Sequence, residues 1–306
     1  MQPKVGAYIT CYKDEISVGR CIKAIESQSI QVSPIYIIDN SNHPLLLKSH
    51  HIQLIVHHYP DNIGIGKGIV KALDWFIDQK YDFLWTFDQD SIPNPNCLKI
   101  LLSTYDQLSK QDNYQVGIVA PIPIDSRTNK VVTGAAFSKY RFIGLKHDSN
   151  VDIYECDAPI TSGSLIPLSV AKFVAYPNSD LFIDGVDFDY GLRIKQAGFH
   201  NIIATKAIMH HNFGTPSQVK FMGQTIYVQQ YSALRYYYIC RNHTYLEMKH
   251  SQGCYKFASL IQRLKSMLIK IVLIILYNPN NKLLKIWACL IGTYHGLISK
   301  LGKTWQ

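Results

Sequence analysis

Short apolar, β-prone runs that alternate with amphipathic segments constrain this chain more than any other feature. Val5–Cys11, Ser33–Ile38, Gln53–His58 and Phe83–Phe87 read as strands. Val18–Ser29 and Lys67–Gln79, the latter with apolar Ile69, Val70, Leu73, Phe76 and Ile77, read as helices. The order strand, helix, strand, strand, helix, strand predicts an α/β sheet of mostly parallel strands. A chain of 306 residues, 47% hydrophobic and 17% charged, can bury such a sheet in one large domain or two modest ones. That composition excludes disordered and fibrous classes. Seven scattered cysteines, none spaced Cys-x-x-Cys, argue against a disulfide framework or a zinc knuckle and for a reducing cytosol. Met1–Lys4 runs straight into the first strand without the basic and apolar regions of a signal peptide.

In parallel sheets ligands bind beyond the carboxyl ends of the strands, and these ends are acidic. Asp39 follows Tyr36-Ile-Ile38, and Asp88-Gln89-Asp90 follows Leu84-Trp-Thr-Phe87. Two carboxylates at i, i+2 on such a loop make a hard-oxygen site for a divalent ion, which can in turn hold a diphosphate. A Gly-x-x-x-x-Gly-Lys-Ser/Thr phosphate loop is absent. Gly64-Ile-Gly66-Lys-Gly68 has the wrong spacing and place for a dinucleotide fingerprint, because the first strand-helix turn, Cys11-Tyr-Lys-Asp14, contains no glycine.

A second constellation lies at 181–214. Asp184, Asp187, Asp189 and Arg193 precede or open a predicted helix whose buried face takes Tyr190, Ile194 and Ala197, with Asp187 near the amino end that favours an anion. The strand Ile202–Met209 then ends in His210-His211, which delivers a histidine to a strand terminus as a third candidate metal ligand.

The charge is as uneven as the motifs. Residues 241–306 hold ten Lys/Arg and one acid, so the net charge of +9 sits entirely in the tail. Apolar residues there recur at 257, 260, 261, 264, 267, 268, 271, 272 and 275, one helical face, with Arg263, Lys265 and Lys270 between them. The charge-free run Ile271–Tyr277 is far short of the roughly 20 residues that span a bilayer. After the break at 278–281 comes a second apolar segment, Leu283–Leu301. The tail therefore reads as a basic helical hairpin in the interface of an anionic membrane, or as helices packed on their own domain. Its aromatics do not alternate with its basic residues, which disfavours nucleic acid and a non-catalytic nucleic-acid scaffold.

Taken in order, seven blocks resemble the inverting glycosyltransferases of family 2, in their bacterial rhamnosyltransferase-like branch. They are Thr10-Cys-Tyr12, Ile37–Ser41, Asn62-Ile-Gly64, Phe87–Ser91, Ser162–Leu165, Phe182–Asp187 through Arg193, and His211–Gly214. The resemblance implies a GT-A nucleotide-diphospho-sugar transferase fold over 1–242, with a nucleotide half at about 1–120 and an acceptor-side half at about 121–242. Residues 243–306 then form a helical, membrane-associating extension.

The resemblance also implies residue roles. Asp39 accepts the base N3–H, Asp88 lies against ribose and diphosphate, Asp90 and His211 hold Mn2+ or Mg2+, and Asp187 is the general base. Thr10, Tyr12, Asn62, Gly64 and Gln89 join the nucleotide-sugar set. Gly163 and Ser164 line the sugar pocket, where glycine leaves room for donor or acceptor, and Asp184, Asp189 and Arg193 support the base. Lys13, Val70 and Asp189 depart from the usual residues of the family. The implied donor is dTDP-L-rhamnose, with UDP-galactose, UDP-galactofuranose or UDP-glucose as alternatives. The implied acceptor is a lipid-linked oligosaccharide at the cytoplasmic face of the cell membrane.

Overall fold

A computed structural model describes residues 3–146, 148, 150–214, 216–221, 224–278 and 280–305. In chain order the first elements are β1 (Val5–Cys11), α1 (Glu15–Glu26), β2 (Ile35–Asp39), β3 (Leu54–His58), α2 (Gly64–Asp78), β4 (Phe83–Asp88), β5 (Ile92–Pro93) and α3 (Cys97–Leu108). They are followed by β6 (Val116–Asp125), β7 (Ala135–Ser138), β8 (Arg141–Gly144), β9 (Ile153–Glu155), β10 (Leu165–Pro167), α4 (Leu168–Phe173), α5 (Val186–Gln196) and β11 (His200–His211). The chain ends with β12 (Pro216–Phe221), β13 (Gln224–Gln229), α6 (Ala233–His250), α7 (Tyr255–Tyr277) and α8 (Lys282–Leu297). The alternation expected over the first 90 residues is present. Helix α1 starts three residues early because the Asp14 side chain caps it by accepting from the Ser17 N–H. Helix α2 starts at Gly64, taking the glycine segment into its first turns.

Two compact units divide the chain. The first comprises Met1–Ala136, Gly144–Ser179 and Val186–Asn212; the second comprises Phe137–Ile143, Asp180–Gly185 and Phe213–Gln306.

In the first unit, among the described residues, the main sheet runs β3-β2-β1-β4-β10-β6-β11-β5, with β9 also paired to β11. The pairs β1–β2, β1–β4, β2–β3 and β6–β11 are parallel, whereas β10, β5 and β9 pair antiparallel. Every residue of β1 and β2 is buried, as a sheet covered on both faces requires. The period-2 alternation of β1 sorts its side chains between two layers. Val5, Ala7, Ile9 and Cys11 share one core with Ile22 and Ile25 of α1 and Leu98 and Leu101 of α3. The intervening positions face α2, where a Cβ at Gly6 would collide with the Phe76 ring and one at Gly68 with the Tyr8 hydroxyl. A Cβ at Gly66 would lie 3.0 Å from the Ser179 Cα. Gly66 and Gly68 thus let α2 approach its neighbours, a packing role.

The second unit is built on α6. Its Asn242 amide donates to the carbonyls of Leu181, Ile183 and Asp184 at 2.8, 2.7 and 2.7 Å, fixing a loop in which Phe182, Asp184 and Gly185 all have positive φ. The Arg241 guanidinium donates to the carbonyls of Asp180, Leu181 and Gly302. Helix α8 lies against α6 through Ala288, Cys289, Gly292, Thr293 and Gly296, all buried. A Cβ at Gly292 would sit 2.5 Å from the Tyr237 carbonyl oxygen, a backbone atom that cannot rotate away. Among the described residues no helix is long and apolar enough to cross a membrane.

Gly292→Ala is therefore expected to destabilise the protein by about 1–3 kcal/mol through overpacking. Gly19→Ala in α1, where a Cβ meets nothing within 4 Å, is expected to be neutral or stabilising by up to about 1 kcal/mol. Thermal unfolding of both variants checks this, and equal midpoints would contradict the close α6–α8 packing.

Candidate functional site

Strand register brings the predicted acidic ends together along one sheet edge. Thr10 pairs with Asp88 across β1–β4, Cys11 with Asp39 across β1–β2, and Asp39 with His58 across β2–β3. After β1 the chain builds outward through β2 and β3 and then returns to the other side of β1 with β4. The β1–β4 boundary is thus a topological switch point, where open α/β sheets bind ligands.

The turn after β4 is held from three directions. The Ser91 N–H donates to the Asp88 carbonyl at 3.2 Å. The Gln89 side-chain oxygen accepts from the Tyr12 N–H at 2.6 Å, tying the turn to the end of β1. The Asp88 N–H donates to Ser162 Oγ at 3.0 Å. Asp90 Oδ1 lies 3.4 Å from His211 Nδ1, so the two expected metal ligands are neighbours. The cause is the antiparallel β5–β11 pairing, in which Ile92 opposes His210 and brings the next residue pair, Ser91 and His211, side by side. Their Ser91 Oγ to Nδ1 hydrogen bond is 2.9 Å.

Among the described residues no third His, Cys, Asp or Glu joins Asp90 and His211 in a metal-binding group. One carboxylate and one imidazole would hold a divalent cation only if phosphate oxygens or water completed its shell, and the imidazole suits Mn2+ better than Mg2+.

Several predicted residues also have structural roles. Asp39 is wholly buried, and its oxygens accept from the N–H groups of Ser41 and Leu45 at 2.9 and 2.8 Å, so it organises the 39–45 turn. A side chain at Gly163 would strike Pro121 Cγ at 2.6 Å and Met209 Sδ at 2.7 Å, and φ there is +78°. Glycine at 163 is thus required by backbone and packing. The Ser164 hydroxyl donates to the Ile160 carbonyl at 2.6 Å. Asn62 has φ +48° and accepts from the Gly64 N–H at 2.9 Å, a local turn at the start of α2.

Asp187 lies in the first turn of α5 and, with Thr161, Ser164 and Tyr190, lines a small cavity. Asp189 is wholly buried and receives Arg193 at 2.9 Å; Arg193 also donates to the Ala175 and Tyr176 carbonyls, fastening α5 to that segment. Ala197, expected on the buried face, is exposed because α5 ends at Gln196. Asp184 belongs to the second unit, 3.4 Å from Arg235. Burial raises its carboxyl pKa, and the Arg235 charge opposes that rise.

Sequence reasoning missed Asn40 as a site residue. Its side chain accepts from the Ile63 N–H at 2.9 Å and its own N–H donates to the Cys11 carbonyl, linking β1, β2 and the start of α2. Asn40 lies inside the Ile37–Ser41 block, and that place was the available signal.

No family model matches the chain. The dTDP-rhamnosyl transferase RfbF of Shigella flexneri is 27% identical over 252 residues, covering 79% of this chain and 79% of that protein. The S. aureus TarS fragment 1–349 in complex with UDP-GlcNAc superposes with a TM-score of 0.53 at 11% identity, covering 93% of this chain and 79% of the fragment. GalNAc-T7 with UDP, GalNAc and Mn2+ gives a TM-score of 0.52 at 13% identity over 72% of this chain. This chain spans only 44% of that protein. At such identities the structural likenesses establish the fold alone. The chain has the GT-A fold, and its sequence resembles a bacterial rhamnosyl transferase.

Proposed function

We propose that this protein is an inverting glycosyltransferase of family 2 that moves a sugar from a nucleoside-diphosphate donor to a hydroxyl of a lipid-linked oligosaccharide in cell-surface polysaccharide synthesis. The observation that carries the reading is the carboxyl edge of the sheet, where Thr10 stands beside Asp88 and Asp90 lies 3.4 Å from His211. The donor is dTDP-L-rhamnose, a choice supported by the 27% identity to a protein named for that transfer. UDP-galactose, UDP-galactofuranose and UDP-glucose are the alternative donors. Residues 1–242 carry catalysis and 243–306 the basic tail, a division that falls inside α6.

In this reading Thr10, Tyr12, Asn62, Gly64 and the Asp88-Gln89 turn receive the nucleoside diphosphate over the 39–45 turn that Asp39 organises. Asp187 takes the proton of the acceptor hydroxyl while its oxygen attacks the anomeric carbon. The bond to the diphosphate oxygen breaks in the same displacement, so configuration inverts. Asp90 and His211 would hold Mn2+ or Mg2+, which would neutralise the charge that develops on the leaving diphosphate. Asp187→Asn is expected to lower turnover by about 10²–10⁴ while nucleoside-diphosphate affinity stays within about twofold. Steady-state transfer assays with calorimetric binding check this, and unchanged turnover would remove Asp187 as the base.

The tail supports an acceptor at a membrane. In α7 the fully buried positions are Ser259, Arg263 and Ile274, with Met267 and Ile271 partly buried against the core, whereas Ile261, Leu264, Leu268, Val272, Ile275 and Leu276 are exposed. A surface helix usually turns most of its large apolar side chains inward, and here most face outward. The expected apolar face thus exists and points mostly outward, because the buried Arg263–Glu247 pair, 3.4 Å apart, turns the polar side toward α6. Lys256, Lys265, Lys282, Lys300 and Lys303 are exposed in the same tail, and each contributes about 1 kcal/mol near an anionic lipid surface. We infer peripheral attachment to the inner face of the cell membrane. Truncation would remove core residues Arg263 and Ile274, so the test is Leu268→Glu with Val272→Glu in the full chain. Wild type is expected to sediment with phosphatidylglycerol vesicles and the variant to stay in solution; equal sedimentation would contradict the attachment.

A further inference from the structure

We propose that Ser91 and Ser162 are positioning residues that hold His211 and the Asp88–Asp90 turn as one unit and select the imidazole tautomer that faces a divalent cation. This rests on the reading of Asp90 and His211 as the diphosphate-metal pair. Three separate pieces of chain meet at these hydroxyls. Ser162 stands just before β10, whose antiparallel pairing with β4 is extended by the Gly163 N–H to Thr86 carbonyl bond of 2.6 Å and the Thr86 N–H to Ser164 carbonyl bond of 2.9 Å. Ser91 stands between β4 and β5, and His211 closes β11. The resulting chain of contacts runs from the Asp88 N–H to Ser162 Oγ at 3.0 Å, on to Ser91 Oγ at 2.5 Å, and on to His211 Nδ1 at 2.9 Å.

Ser91 and Ser162 are 0% and 1% exposed, and His211 is 9% exposed. A buried hydroxyl is costly unless it is hydrogen-bonded, and each of these oxygens is engaged within the chain just described. The contacts around Nδ1 decide the proton. Ser91 Oγ, at 2.9 Å, is the hydrogen-bond partner of Nδ1 and can accept its proton. A cation on Nε2 requires the tautomer with that proton on Nδ1. Nδ1–H then donates to Ser91 Oγ, Ser91 O–H donates to Ser162 Oγ, and Nε2 presents its lone pair to the cation. Histidines that ligate metals depend on such a partner at the other ring nitrogen for orientation and basicity. Ser162 accepts from the Asp88 N–H as well, so displacement of the acidic turn and rotation of the imidazole are mechanically linked.

The test uses the full chain with Mn2+ and either dTDP or UDP as probes, read by the paramagnetic resonance signal of free Mn2+ and by calorimetry. Ser91→Ala is expected to weaken Mn2+ binding to the nucleoside-diphosphate complex by about 10–100-fold, while the metal-free affinity for the nucleoside diphosphate stays within about twofold. His211→Ala is expected to lose at least as much, and the double variant no more than His211→Ala alone, because Ser91 acts through His211. Ser162→Ala is the second variant should Ser91→Ala fail to fold, and it is expected to weaken Mn2+ in the same direction. Unchanged Mn2+ affinity in the serine variants, or a full further loss in the double variant, would overturn the positioning role while leaving the transferase reading intact. Absence of Mn2+-dependent nucleoside-diphosphate binding by wild type would overturn both.

Discussion

Parallel hydrogen bonding of β1 to β2 on one side and β4 on the other is the constraint on which the remainder of the first unit depends. It forces the chain to reverse its direction of sheet growth at β1, and it sets Thr10, Cys11, Asp39 and Asp88 side by side at one edge. A one-residue slip of β4 would turn its side chains to the opposite faces. Burial opposes that slip, since Leu84, Trp85 and Phe87 are each almost wholly enclosed. The same packing that stabilises the sheet therefore fixes the position of the acidic turn.

Around that edge the site is assembled by pairings that are distant in sequence. Ser162 reaches Asp88 because β10 pairs with β4, and Ser91 reaches His211 because β5 pairs with β11. The strands and their acidic ends were legible in the sequence, because apolar runs followed by Asp39 and by Asp88-Gln89-Asp90 report a local pattern. The serine contacts were not, because each requires the relative register of strands about 70 to 120 residues apart in sequence. Gly163 shows the same limit from another side. Its sequence context resembles a sugar pocket, yet only the packing of Pro121 and Met209 shows why no side chain fits there.

The second unit illustrates how a correct periodicity can still leave its direction open. The apolar stripe of α7 was readable from spacing alone, but spacing does not say which side of a helix finds a partner. Glu247 on α6 draws Arg263 inward at 3.4 Å, and the Gly292–Gly296 stripe brings α8 against α6 so closely that α8 spends its small residues on that contact. Both choices leave large apolar side chains facing outward, Leu268 at 56% exposure and Leu283 at 84%. Arg241 and Asn242 meanwhile donate to the carbonyls of Asp180, Leu181, Ile183 and Asp184 in the 180–185 loop.

The central claim is that the carboxyl edge between β1 and β4 binds a nucleoside diphosphate together with a divalent cation. Calorimetric titration of the full chain with dTDP, UDP, GDP and NADH, each with Mn2+ and again with chelator, tests it most directly. The account predicts Mn2+-dependent binding of one nucleoside diphosphate, dTDP first. Binding of NADH alone, or of none of the four, would contradict it.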